Sequence, residues 1–469
     1  MDRREFLTGL AGGAAAVALS ELAMGRGKSW EDRQVNVIYI MADDMGYADL
    51  GCYGQKRIKT PNIDKLAAEG TRFTQCYTGS TVCAPSRSVL MTGQHTGHTR
   101  VRGNSGIVGG VGSQKRVPLK AEDFTVAELF KKAGYVTGIT GKWGLGEPET
   151  TGVPNRQGFD EWFGYLNQRN AHSYYPPYLW RNEERQLLEG NQNGKKEQYS
   201  HDLMTDFALG FLRRHKAEPF FLYLPYTVPH AKYEIPSTEP YTDESWPQNA
   251  KVHAAMITRL DGDVGKIMAL LKDLGLDDNT LVFFCSDNGA AQRWEGIFDS
   301  SGPLRGRKRD MYEGGIRTPM IARWPGKIEA GSTNDHLSAF QDVLPTLAEL
   351  AGVDPPAEVD GISMLPTLLG KPHQQNQHEY LYWEFTEQGG KRALRQGPWK
   401  IVQLKVSSPA PPDPELYNLS DDLGETQNVA GRHPEVVKRL TPLMDQAHQR
   451  SESYPLFAAE RGDAKPKRD

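Results

Sequence analysis

Val35–Asp44 reads VNVIYIMADD. Apart from Asn36 the run up to Ala42 is apolar, as a strand covered on both faces must be. Such strands belong to parallel sheets flanked by helices, where ligands gather at the carboxyl ends of the strands. Asp43 and Asp44 follow the run at once, so they stand where a site is expected.

The same pattern recurs outward from this stretch. Tyr135–Thr140, Phe220–Leu224 (FFLYL), Thr280–Cys285 (TLVFFC) and Thr318–Arg323 read as further strands. Helical signals separate them. Thr60-Pro61-Asn62 opens a helix that Gly70 closes. Thr125 and Glu128 have capping-box spacing, with Gly134 as a stop. His253–Leu274 is periodic and ends at Gly275, and Asp342–Ala351 ends at Gly352. Alternating strands and helices predict an α/β fold, a large mostly parallel sheet sandwiched by helices. After about residue 375 the pattern changes. Tyr380–Phe385, Lys391–Arg395 and Trp399–Leu404 read as an antiparallel meander, Ser407–Pro414 as a Pro-rich loop, and Pro434–Gln449 as a closing helix. The expected organisation is a signal and linker over 1–30, a catalytic α/β domain over 31–375, a smaller α+β subdomain over 376–457 and a disordered charged tail over 458–469.

The chain has 469 residues, 38% hydrophobic and 24% charged, with a formal net charge of -4. That is the composition of a water-soluble globular protein, and it carries no basic field for nucleic acid. Arg3-Arg4 before Phe6-Leu7 and a short Ala/Gly-rich stretch read as a Tat export signal, too short to span a membrane. The expectation is a periplasmic or secreted bacterial protein that meets the Tat translocon and is not an integral membrane protein. Four cysteines occur, Cys52, Cys76, Cys83 and Cys285. Export permits a Cys52–Cys76 disulfide, but four cysteines are too few to staple so long a chain.

Asp287 and Asn288 follow Thr280–Cys285 as Asp43 and Asp44 follow Val35–Ala42. Either pair alone reads as an ordinary turn. Brought together, the carboxylates repel by roughly 4 kcal/mol per pair at about 4 Å, and a divalent cation removes that cost. Oxygen donors without His or thiolate suit Ca²⁺ or Mg²⁺. Thr81–Arg87 reads TVCAPSR. Cys83 is open to two readings on its own, a small buried hydrophobe or a thiolate activated by Arg87.

Cys83-x-Pro85-Ser86-Arg87 followed by Val89–Gly93 is similar to the signature of the sulfatases. Ile40–Gly46 (IMADDMG), Gly134–Gly146 (GYVTGITGKWGLG), Val228-Pro229-His230, Ser286–Gly289 (SDNG), Leu304–Pro319 (LRGRKRDMYEGGIRTP) and Glu415–Leu419 (ELYNL) with Gly424-Glu425-Thr426 resemble the family's other blocks, in the family's order. The resemblance covers nearly the whole mature chain. It implies an alkaline phosphatase-like fold and a sulfuric ester hydrolase whose Cys83 a formylglycine-generating enzyme converts to formylglycine. Asp43, Asp44, Asp287, Asn288 and the modified residue 83 would ligate the cation, Ca²⁺ in preference to Mg²⁺. Arg87 would bond the aldehyde hydrate, whose hydroxyl attacks sulfur. Lys142 and Lys308 would bind sulfate oxygens. His230 would protonate the leaving alcohol.

The chain departs from the family at Gly144, where many members have His, and His172 is the candidate substitute. His95, His98, Arg102 and Asn104 are candidates to shape the substrate pocket. Tyr174, Tyr175, Tyr178 and Trp180 suggest an aromatic trench for a sulfated sugar, from analogy. The rivals are a formylglycine-dependent phosphoester or phosphonate hydrolase, a zinc phosphatase, disfavoured by the lack of clustered His, and a non-catalytic glycan-binding protein.

Overall fold

The first strand, β1 (Asn36–Ala42), is buried throughout. In the computed structural model, which describes residues 34–461, it runs between β7 (Phe220–Pro225) and β8 (Thr280–Ser286), parallel to both. Met41 stands opposite Pro225 and Cys285, and Ala42 opposite Ser286. The three carboxyl ends are therefore level. On the far side of β7 lie β3 (Val136–Lys142) and β4 (Glu161–Tyr165), also parallel. β5 (Tyr178–Arg181) and β6 (Glu184–Leu187) close that edge as an antiparallel hairpin.

On the other side β9 (Arg317–Arg323) runs antiparallel to β8 and to β2 (Thr71–Tyr77), and the short β10 (Ser332–Asn334) and β11 (Ser338–Ala339) add to β2. The result is a mixed sheet of eleven strands with a parallel centre, counted among the described residues. Helices Pro61–Ala68, Val126–Lys132, Ser200–Arg214, Gln248–Asp273 and Val343–Ala351 accompany it. The expected capping box is present: Glu128 N–H donates to Thr125 Oγ1 at 3.3 Å and Thr125 N–H to Glu128 Oε2 at 2.9 Å. The helix expected from His253 starts earlier, at Gln248, directly after Pro247. Residues 36–461 pack as one unit.

The second sheet, β12 (Leu381–Phe385), β13 (Lys391–Gln396), β14 (Trp399–Leu404) and β15 (Glu415–Asn418), is antiparallel in that order. The two-residue period of the strands splits its apolar residues. Leu381, Trp383, Phe385, Ala393, Val402 and Tyr417 pack with Tyr77, Val82, Met311 and Ile316 of the larger part. Tyr382, Leu394, Ile401 and Leu416 pack on Val436, Leu440 and Met444 of the helix Pro434–Gln446.

Between the two sheets lies a buried ionic group. Lys400 Nζ is 2.9 Å from both Glu313 Oε1 and Glu425 Oε1. Arg317 Nη1 (3.1 Å) and Tyr77 Oη (2.6 Å) donate to Glu313 Oε2, and Arg395 bonds Tyr77 Oη in turn.

Two expectations change. Cys52 and Cys76 are not paired, and all four cysteines are free; Asp64 Oδ1 accepts from the Cys52 N–H at 2.7 Å. Order continues past 458: Ala458–Glu460 forms a turn, because Glu460 accepts from Leu456 N–H (2.7 Å) and meets His448 Nε2 (2.6 Å). Residues 462–469 and the expected export signal lie outside the described residues. Among the described residues no helix is long and apolar enough to cross a membrane.

Candidate active site

The level strand ends bring the separated acids together. Asp287 N–H donates to Ala42 O at 3.1 Å and Asp44 N–H to Asp287 Oδ1 at 3.1 Å. Asp43 N–H donates to Val228 O at 3.0 Å, which ties in the loop after β7. Asp44 sits at φ 66°, a left-handed conformation that Asp tolerates better than most residues. Asn288 Nδ2 (2.8 Å) and Lys308 Nζ (2.7 and 2.9 Å) hold its carboxylate. Such local strain marks functional sites.

Cys83 opens the helix Cys83–Thr92, and Arg87 lies one turn on, on the same face. Arg87 Nε and Nη2 grip Asp287 Oδ2 at 3.1 and 2.8 Å, and Nη1 bonds Lys142 O. Cys83 Sγ is 3.3 Å from Asp43 Oδ1 and 3.4 Å from Lys308 Nζ. Lys142, the last residue of β3, reaches Asp43 Oδ2 at 2.6 Å. His230 Nδ1 lies on Ala231 O, so this nitrogen carries the proton, and Nε2 faces Asp44 Oδ2 at 3.4 Å. Asp43, Asp44, Cys83, Arg87, Lys142, His230, Asp287 and Asn288 are buried.

Charge explains the titration of these groups. Burial works against ionisation of Asp43, but Lys142 foremost among its neighbours outweighs it and holds the carboxyl well below the usual range. Asp44 is lowered too: burial opposes this, and Lys308 outweighs it. Asp287 is pushed up to about 6 by burial and by the charge on Asp43. Burial, then Asp43, pushes the Cys83 thiol up to about 12. A thiolate nucleophile is therefore the wrong reading of this cysteine.

The donors form a cluster that could hold a metal ion. Asp43, Asp44, Cys83 and His230 offer atoms within 4.8 Å of one another. Asn288 Oδ1 is buried without a hydrogen-bond partner, as an oxygen meant for an ion would be.

The other expected residues separate. His172 is exposed and stacks on His230 with ring centroids 4.7 Å apart, and partial desolvation, then His230, lowers it to about 4. Asn104 Oδ1 accepts from Ala84 N–H at 3.3 Å, beside Cys83. His95, His98 and Arg102 point elsewhere. His98 Nδ1 bonds Asp360 Oδ1 at 2.8 Å and Arg102 Nη1 bonds Glu384 Oε1 at 3.1 Å. His95 Nδ1 accepts from Gly97 N–H at 3.1 Å, which leaves its proton on Nε2, toward Asp360. His95, His98 and Asp360 stand close enough to hold an ion, and Asp360 already accepts from the His95 backbone N–H at 2.9 Å and meets His98 Nδ1 at 2.8 Å.

Two of the four expected trench aromatics are closed off, while Tyr175 and Tyr178 stay half-buried. Tyr174 and Trp180 are buried, and Tyr174 Oη donates to Thr227 O (2.6 Å) and His230 O (2.8 Å), steadying the histidine's loop. Gln168 escaped sequence reading, since a lone Gln after a strand carries no signal. It lies against Gly144 (φ 84°), where an added Cβ would stand 2.2 Å from Gln168 Nε2.

The comparisons agree with this geometry. The sulfatase family model matches residues 35–353, and the model for the C-terminal part of N-sulphoglucosamine sulphohydrolase matches 306–450. Human arylsulfatase A is 35% identical over 461 residues, covering 88% of this chain and 87% of its own. N-acetylgalactosamine-6-O-sulfatase of Bacteroides thetaiotaomicron is 31% identical over 493 residues, covering 88% and 93%. The crystal structure of Ps i-CgsB in complex with k-i-k-neocarrahexaose is 29% identical and superposes with a TM-score of 0.78, covering 93% of this chain and 98% of that one. With a buried acid cluster at the strand ends, a cysteine against it and a family match over most of its length, the chain belongs to the sulfatase family and is a sulfuric ester hydrolase.

Proposed function

We propose that this protein hydrolyses a sulfate ester on a carbohydrate, using residue 83 as formylglycine and one bound Ca²⁺, with Mg²⁺ the weaker candidate. The observation that carries the reading is the meeting of Asp43, Asp44, Asp287 and the partnerless Asn288 Oδ1 against residue 83. Those four side chains, with residue 83, would hold the cation, which supplies Lewis acidity toward a sulfate oxygen. Formylglycine supplies a hydrated aldehyde, hard oxygen in place of soft sulfur and a hydroxyl nucleophile.

The chain's own residues do the rest. Arg87, anchored on Asp287, orients the residue 83 side chain and favours negative charge there. Lys142 and Lys308, now on Asp43 and Asp44, offer their ammonium groups to the sulfate and offset its growing charge. His230 holds its Nε2 toward the site for the leaving oxygen. Burial foremost lowers His230, against the pull of Asp44, so its acidic form is scarce at neutral pH and turnover falls as pH rises. His172, stacked on His230, positions it. The sugar reading rests on relatives named as N-acetylgalactosamine-6-sulfatases. Export through the Tat translocon and maturation by a formylglycine-generating enzyme complete the proposal.

The test is mass spectrometry of the peptide bearing Cys83 from the native host, with rates on aryl sulfate and aryl phosphate. Conversion of the thiol to the aldehyde and faster sulfate hydrolysis are expected. An unmodified thiol sinks the mechanism, and faster phosphate hydrolysis sinks the reaction.

A further inference from the structure

Arg116 is a buried cation with too few partners. It is 7% exposed. Nη1 donates to Asn104 O at 3.2 Å, while Nε has no hydrogen-bond partner. The nearest carboxylate, Glu147, stands 3.5 Å from Nε, beyond the usual hydrogen-bond range. Glu147 is partly engaged elsewhere, since Asn167 Nδ2 donates to it at 3.2 Å. Burial outweighs Glu147 and Cys83 and leaves the guanidinium below its ordinary pKa. A fully paired arginine, such as Arg87 on Asp287, shows the opposite shift.

The place of this arginine gives it a use. The Asn104 whose carbonyl it holds also accepts from Ala84 N–H, one residue from Cys83. A second orphan stands on the neighbouring loop: Gln168 is 5% exposed, and neither atom of its amide has a partner. It follows Asn167, which binds the same Glu147, and packs against Gly144, two residues past Lys142. Buried polar groups without partners are rare and call for an explanation.

We propose that Arg116, with the Gln168 carboxamide on the adjoining loop, forms a subsite for a second anionic group carried by the same sugar as the scissile sulfate. The inference rests on the sulfatase reading above and narrows it to polyanionic glycans. A guanidinium with unused N–H donors takes an oxyanion by charge-assisted hydrogen bonds. Sulfate and carboxylate share that chemistry.

Three probes separate them: a monosulfated N-acetylhexosamine, its disulfated counterpart and a monosulfated hexuronic acid, which carries sulfate and carboxylate on one sugar. Binding is read by calorimetry in a Cys83→Ala background, and kcat/KM in the mature enzyme. The second anion is expected to improve both by at least about tenfold. Arg116→Gln removes that preference to within about twofold, and Arg116→Lys, which keeps the charge, restores part of it. Whichever dianionic probe gains more names the anion. An absent preference, a preference that survives Arg116→Gln, or equal impairment in both variants overturns the subsite. Failure of the mature enzyme on every sulfate ester, 4-nitrophenyl sulfate included, overturns the sulfatase reading instead, and the calorimetry still judges the subsite.

Discussion

Two of the buried charge clusters among the described residues are built to opposite rules. At the joint between the sheets, Lys400 sits between Glu313 and Glu425, and Arg317, Tyr77 and the Glu313 N–H take up carboxylate oxygens. At the strand ends, Asp43, Asp44 and Asp287 crowd one another, Asp287 is pushed up to about 6, and Asn288 Oδ1 has no partner. In the first cluster each carboxylate oxygen faces a cation or a donor, Glu425 Oε1 meeting the Lys400 ammonium at 2.9 Å without a hydrogen bond. The second is left chemically unfinished, and unfinished polar groups in a buried place are where ligands act. Burial of charge alone therefore does not mark a site.

The comparison can be broken from either side. The largest effect falls on chemistry: Cys83→Ala lowers kcat on an aryl sulfate by at least about 10⁴-fold while the thermal midpoint holds. Comparable activity in the variant would remove the second cluster's claim. Next comes the joint. Lys400→Met leaves two buried carboxylates facing each other and destabilises by about 3–5 kcal/mol, as loss of one partner of a buried ion group does. It is read as the shift of the urea midpoint, with turnover per folded molecule unchanged. If both variants lost activity and stability alike, the division of labour would be wrong.

Calcium sharpens the contrast. At about 100 times its Kd it stabilises the fold by about 2.7 kcal/mol. Asn288→Ala and Asp44→Asn abolish that gain, seen in melting curves with calcium and with chelator, and Lys400→Met keeps it.

The pH dependence follows, with a sign that belongs to the joint. Glu425 is raised to about 7 by burial and the charge on Glu313, against the pull of Lys400. Its contribution is present below its unfolded value near 4.5 and is lost as pH rises through 7. Glu313 is held down to about 2, where Lys400 and then Arg317 outweigh burial. Its contribution is present above about 4.5 and is lost as pH falls toward 2. Wild type should lose stability from pH 5 to pH 8 relative to Glu425→Gln, measured by urea midpoints. Parallel curves would contradict it. The smallest effect is at the rim: His172→Ala costs about three- to tenfold in kcat/KM by freeing His230, roughly the 0.5–1.5 kcal/mol of an aromatic pair.

Much of this was legible in the chain. Val35–Ala42 and Thr280–Cys285 announced buried parallel strands by being apolar throughout, and each was followed by its acids. The capping box at Thr125 and Glu128 was readable because its partners are three residues apart. What escaped reading was whatever depends on partners far apart in sequence. His98 and Arg102 looked like pocket residues until Asp360 and Glu384 were seen to hold them. Tyr174 looked like a platform but is buried under the His230 loop. Gln168 and Arg116 are visible only through the bonds they do not make.

The sequence by itself determined the central strands β1, β3, β7, β8 and β9 and the acids that follow β1 and β8, because periodicity and capping are local properties; β2, β4, β5 and β6 went unread. Only the tertiary structure decided which charges would be paired and which left open. Whether a buried group is satisfied depends on partners drawn from more than two hundred residues away, as with Asp44 and Asn288 or Asp44 and Lys308.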